Sequence, residues 1–202
     1  MKKITLIAVV MFALLFAVAC SMVKYKKGDQ TKGYLSGIKK IAVQYDYSKA
    51  RVGKFANETD YVADKVAEHN KKEAGKGDEW KTKWEEQKTA TFATKFESLI
   101  NEYTKDKSIE VGSGIADAEL TMSVILTHIE PGWNIGISRQ DASISMRIEI
   151  FKTGEAGEPL VVYEINNVPG RGAMGYDFDA GYRMGEAFAL AGKELGKFLV
   201  KE

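Results

Sequence analysis

The patterning of this chain encodes an α+β domain: a mostly antiparallel sheet covered on one face by helices, with a helical hairpin inserted after the first strand. Three features carry that expectation. The stretches "AELTMSVILTHIEPG" and "ASISMRIEIFKTG" alternate apolar and polar residues at period two, the mark of strands with one buried and one wet face. Between an earlier strand and these, residues 57–106 are rich in Lys, Glu and Ala and free of proline, which reads as helix. The chain then closes on a segment, about 178–201, whose apolar and small residues share one side. Strand, helices, strands, helix is the order of one sheet packed against one helical layer.

From the amino terminus, Met1-Lys2-Lys3 precedes an apolar run from Ile4 to Ala19. A helix of that run rises about 24 Å, short of the roughly 30 Å hydrocarbon core of a bilayer. Residues 1–19 therefore read as a signal peptide rather than a permanent span. The run ends in Ala17-Val18-Ala19-Cys20, which resembles the lipobox of bacterial lipoproteins, whose cysteine is acylated and becomes the new amino terminus. The resemblance implies lipidation of Cys20 and a Gram-negative envelope. Ser21, in place of an aspartate, implies the outer membrane, and the basic start Lys24, Lys26 and Lys27 favours its periplasmic side. Two further readings of Cys20 are an ordinary cleaved signal and a small buried hydrophobe. Each buried methylene contributes about 0.8 kcal/mol, and two or more acyl chains hold a protein stably where one does not.

Residues 20–37 are polar and glycine-containing and read as a lipidated tether or the lead into the first strand; residues 38–202 form a single domain. "IKKIAVQYDYS" places Ile41, Val43 and Tyr45 on one face of a strand. A helical hairpin over 57–105 follows, as helices 57–73 and 79–105 broken at Gly75-Lys76-Gly77-Asp78, with Asn57 and Asp78 as caps. Phe92, Phe96, Leu99 and Tyr103 make an apolar stripe that faces a core. "SIEVGSG" is a short strand candidate. Leu120, Met122, Val124, Leu126 and His128 share one face of the next strand, and Ile144, Met146, Ile148 and Ile150 that of its successor; "EPLVVYEINNV" follows. The last helix is capped by Asp177 or Asp179. Its Gly181, Gly185, Gly192 and Gly196 lie along one side, and each costs about 0.5–1 kcal/mol relative to alanine. That side must meet a close neighbour, either the sheet or a second copy in a homo-oligomer.

The chemistry is sparse. Without residues 1–19 the 202-residue chain keeps 27 basic and 28 acidic residues, close to neutral, with no basic stripe for nucleic acid. The single cysteine allows no internal disulfide. His69 and His128 lack any metal-ligand spacing, so no metal and no cofactor is expected. Gly170, Gly172 and Gly175 lack the phosphate-loop spacing, and no Gly-x-Ser-x-Gly elbow occurs. Asp177 and Asp179 read as helix caps rather than as half of an acid pair with Glu186. The chain is not expected to be an enzyme.

The aromatic residues are more suggestive. Trp80 and Trp84, in "DEWKTKWEE", lie one turn apart on a charged helix, and Trp133 sits in the loop "EPGWNIG". Each reads either as packing over the rim or as an exposed anchor for a partner. The stretches "IKKIAVQYD", "ADAELTMSVILTHIEPG" and "AGYRMGEAFALAGKELGKFL" resemble, in order and pattern, the periplasmic lipoprotein domains related to the TolB amino-terminal domain, the curli secretion lipoprotein and the activator lipoproteins of peptidoglycan synthases. The whole chain resembles uncharacterised lipoproteins of Bacteroides-type bacteria. The resemblance implies a non-catalytic outer-membrane lipoprotein that docks on another envelope protein; the alternative is a glycan or peptide binder that uses Trp133.

Overall fold

A computed structural model describes residues 21–134, 137–171 and 179–201. The signal segment, Cys20, Gly172, Gly175 and Asp177 lie outside the described residues.

The two strands with the clearest alternation form the centre of the sheet. β5 (Leu120–Glu130) and β8 (Ala142–Lys152) run antiparallel and pair Met122 with Ile150, Val124 with Ile148 and Leu126 with Met146. All six of those side chains are buried, so the two apolar faces read from the sequence are one surface. β9 (Val161–Gly170) continues the antiparallel run beside β8. On the other flank β2 (Lys40–Asp46) lies parallel to β5, with β4 (Glu110–Gly112) parallel beyond it and β3 (Arg51–Val52) pairing β5 past the end of β2. The parallel pairs follow from topology: helices fill the chain between β2 and β4, and a strand reached by a crossover returns in the same direction. A two-stranded ribbon, β6 (Trp133–Asn134) with β7 (Arg139–Gln140), projects between β5 and β8.

The helical layer comprises α1 (Glu58–Lys72), α2 (Lys76–Gln87), α3 (Thr94–Thr104) and α4 (Ala180–Val200). Asn57 caps α1 by accepting from the Asp60 amide at 2.9 Å, and Asp179 caps α4 by accepting from the Tyr182 amide at 3.1 Å. Phe92, Phe96 and Ile100 from the α3 side, with Met184, Phe188, Ala191 and Leu195 from α4, close over the apolar sheet face. Phe92 and Phe188 stack with centroids 5.0 Å apart.

Four expectations are corrected. First, the presumed tether 20–37 is not a free leash. Val23–Gly28 forms an edge strand, β1, antiparallel to β9, with Val23 opposite Ile165 and buried. Second, the glycines of α4 meet a helix rather than the sheet or a second copy. A Cβ on Gly192 would stand 2.2 Å from the Phe96 carbonyl oxygen of α3, and one on Gly196 2.9 Å from that of Ile100. Third, His128 leaves the apolar face, because a bulge between Leu126 and His128 shifts the phase and turns Ile129 inward in its place. Fourth, the second helix starts at Lys76 after Gly75, so Asp78 stands in its first turn rather than at the cap. It also passes through a π-helical turn, Lys88–Ala93, before α3.

Candidate functional site

The three indoles proposed as anchors fall in different environments. Trp84 is 3% exposed, its Nε1 donates to Glu58 Oε1 at 2.6 Å, and its ring packs on Tyr61. It is a core residue of the α1–α2 hairpin and does not offer a surface, which corrects the anchor reading for this position. Trp80 is half-buried. One of its faces stacks on Trp84 at 5.6 Å and 19°, and the imidazole of His69 stacks on it at 5.8 Å and 18°. These stacks pack Trp80 into the hairpin, while its remaining surface lines an open cleft with Lys83, Gln87 and Asp179. The aromatic series from Phe55 through Tyr61 and Trp84 to Trp80 and His69 explains how so charged a hairpin holds its position. Burial pushes the Tyr61 hydroxyl up to about 12, and the nearby Glu130 carboxylate adds to that.

Trp133 differs: it is 46% exposed on the β6–β7 ribbon, and the large cavity described next does not include it. Its ribbon is tied down at the root, where Arg183 of α4, buried, donates from Nη2 to the Pro131 carbonyl at 3.0 Å.

The feature that the sequence did not reveal is a cavity of about 850 Å³ at the end of the sheet where β1 stops and β2 begins. Its origin is topological. β1 lies at one edge and β2 on the far side of β9, β8 and β5, so residues 29–39 must cross the end of the sheet. That crossing segment, the carboxyl end of α4 and the turn after α3 enclose the space between them. Gly28 makes the exit possible: it holds φ 99°, and a Cβ there would stand 2.0 Å from the Leu160 carbonyl oxygen. Asp29 then ties the turn, accepting from the Thr31 amide at 2.8 Å and the Tyr34 amide at 3.2 Å.

The cavity walls are apolar and aromatic, with Leu35, Ile38, Ile109, Tyr163, Phe198 and Leu199 facing it. Tyr34 Oη lies 2.7 Å from Tyr163 Oη, and Tyr163 meets Phe198 edge-on at 5.1 Å, which fixes one wall. Burial drives the Tyr34 hydroxyl far above its ordinary value, and its bond to Tyr163 does so further. Lys32, Lys39, Lys107 and Lys201 stand around the rim, and among the described residues no carboxylate side chain lines it. Lys32 has a structural task. Its Nζ donates to the Phe198 carbonyl at 3.0 Å and to the Lys201 carbonyl, which satisfies carbonyls that the end of α4 leaves open. Burial lowers the Lys32 ammonium from its ordinary value, and the Lys201 charge lowers it more. A negative charge at this rim would oppose both effects.

Chemically, such a site offers apolar contact from its walls and ammonium groups from its rim. Among the described residues no group of three or more His, Cys, Asp or Glu side chains could hold a metal ion, and no helix is long and apolar enough to cross a membrane. No protein-family model, no curated protein and no solved structure matches this chain.

Proposed function

We propose that this protein is a non-catalytic lipoprotein, acylated on Cys20 and held on the periplasmic side of the outer membrane, which docks on another envelope protein by taking an acidic segment of that protein into the lysine-rimmed cavity. The observation that carries the reading is the cavity's make-up: apolar walls beneath a rim that includes the exposed Lys39 and Lys201, with no carboxylate among the described lining residues. Apolar walls supply affinity by removing surface from water, at roughly 25 cal/mol per Å². The ammonium groups select an occupant that brings carboxylates and disfavour one that does not.

The position of the cavity supports the same reading. It opens at the end of the domain away from Ser21, so a protein anchored through Cys20 holds it toward the periplasm. The glycan- or peptide-binding alternative that rested on Trp133 draws no support from a cavity at that residue.

The test is crosslinking in cells with an amine-reactive reagent, read by mass spectrometry, on the wild type and on the double variant Lys39→Glu with Lys201→Glu. The expected result is that partner peptides attached at Lys39, Lys107 or Lys201 carry clustered Asp and Glu, and that charge reversal abolishes the remaining Lys107 adducts while the melting temperature is unchanged. Both substituted residues are exposed, so the fold should tolerate the change. Recovery of the same Lys107 adducts with the double variant sinks the docking site.

A further inference from the structure

Among the described residues three large apolar side chains are strongly exposed: Met22 at 36%, Trp133 at 46% and Ile137 at 97%. They belong to separate parts of the chain, yet the sheet register brings them to one end. Val23 of β1 pairs with Ile165 of β9, which stands opposite Met146 of β8. Moving back from Val23 to Met22 and Ser21 therefore leads toward the start of β8, where Ala142 faces Gly170 and Ser143 faces Glu130. The β6–β7 ribbon leaves the sheet at that same end. Cys20 is one residue before Ser21, a Cα separation of about 3.8 Å.

The geometry points to this end as a membrane-contacting face on which Trp133 and Ile137 enter the interfacial layer of the bilayer beside the acyl chains of Cys20. The inference rests on the lipoprotein reading given above. Its physical basis is the shortness of the link. Because β1 begins at Val23, only two residues separate the acylated position from a strand built into the sheet, so the domain cannot stand off from the lipid. Whatever projects from this end then meets the headgroups.

An indole suits that layer, with an apolar body and one polar N–H, which is why tryptophan concentrates at membrane interfaces. The isoleucine supplies apolar area that water disfavours. The neighbouring charges also suit phosphate level: Arg139 lies in the ribbon, and Arg171 holds Asp141 with Nε to Oδ2 at 3.4 Å. The ribbon alone would bind weakly. With the anchor in place its binding is intramolecular, and a small favourable energy suffices to fix the tilt of the domain. Arg183 fixes the ribbon's root to α4, so that tilt is transmitted to the whole helical layer. The opposite end of α4, at the lysine-rimmed cavity, lies roughly 30 Å away along its axis.

The experiment uses the full chain, lipidated in cells, purified and reconstituted into vesicles of phosphatidylethanolamine and phosphatidylglycerol whose acyl chains are brominated near the headgroup. Bromine quenches an indole only on contact. Part of the wild-type fluorescence should be quenched by these lipids and shielded from aqueous iodide, and Trp133→Phe should remove that part. Ile137→Asp should reduce the quenching while the protein still floats with the vesicles. Bromolipid quenching that persists in Trp133→Phe, or free access of iodide to Trp133 on vesicles, overturns the contact. An intact mass without lipid on Cys20, with protein that does not float, overturns the anchoring reading and takes this contact with it, and the mass alone tells the two failures apart.

Discussion

Gly192 is a residue chosen against its own propensity. In a helix interior alanine is favoured over glycine by up to about 1 kcal/mol, so Gly192→Ala would stabilise an isolated helix. Here the added methyl would stand 2.2 Å from the Phe96 carbonyl, a backbone atom that moves only with its helix. The substitution should therefore destabilise the protein by about 1–3 kcal/mol, the usual range for overpacking. Gly185→Ala meets the Thr91 and Lys95 side chains instead, which can move aside, and should cost less. Paired thermal melts decide the matter, and equal melting of the two variants would contradict it. Asp179 works through charge. Burial alone would raise its carboxyl, but the Lys83 ammonium at 2.9 Å and the amides of Tyr182 and Gly181 hold it below the ordinary carboxylate value. Its stabilising contribution is therefore present above the unfolded value of about 3.9 and is lost as pH falls through the lower folded value. Asp179→Ala should cost about 0.5–2 kcal/mol near neutrality. The deficit should shrink below about pH 4, while Asp179→Asn retains much of the cap. Both residues were marked in the sequence, Asp179 as one of two caps and Gly192 as part of a small-residue side. What the sequence could not say was which neighbour the glycines touch, because a helix face is legible from one segment and its partner is not.

For whole elements the same limit is visible in the α1–α2 hairpin. Its high charge and thin apolar content left the Trp80–Trp84 pair open to two readings, packing over the rim or an exposed anchor. Two features of the structure place Trp84 in the packing. The π-helical turn Lys88–Ala93 changes the phase between α2 and α3, and Glu58, at the start of α1, comes within hydrogen-bonding distance of both Trp84 and Lys88. Neither is a local pattern. Trp84→Ala should thus cost about 3–5 kcal/mol, as deletion of a buried aromatic does. Trp80→Ala should cost clearly less, since its edge already meets water. Chemical denaturation of the two single variants measures both, and comparable losses would place Trp80 as deep in the core as Trp84. The edge strand β1 was hidden for a different reason. Lys24, Lys26 and Lys27 give it the composition of a loop, yet such lysines, and the bulge between Tyr25 and Lys27, are what keep an exposed edge from pairing with other chains. By contrast β2, β5 and β8 were readable almost to their ends, because one buried face imposes a strict period of two.

The molecule as a whole has two unlike ends. At one, the chain passes from β1 to Ser21 with exposed Met22, Trp133 and Ile137 around it; at the other, four lysines rim an apolar cavity. On the proposed anchoring through Cys20, the length of the link decides whether this polarity has meaning. A free tether of residues 20–37 would let the domain turn in any direction and neither end would face anything in particular. With β1 starting at Val23 that freedom is gone. Inserting fifteen Gly and Ser residues between Ser21 and Met22 restores it, since such a linker spans roughly 20 Å on average. The local concentration of the ribbon at the lipid surface falls accordingly. The insertion should leave the lipidated protein in the membrane fraction and its melting temperature unchanged, yet lower the bromolipid quenching of Trp133. It should also broaden the set of peptides crosslinked at Lys39, because the cavity no longer points one way. Quenching and crosslinks that both match the wild type would mean that orientation is set by something other than the short link, and the two-ended reading of the domain would lose its physical basis.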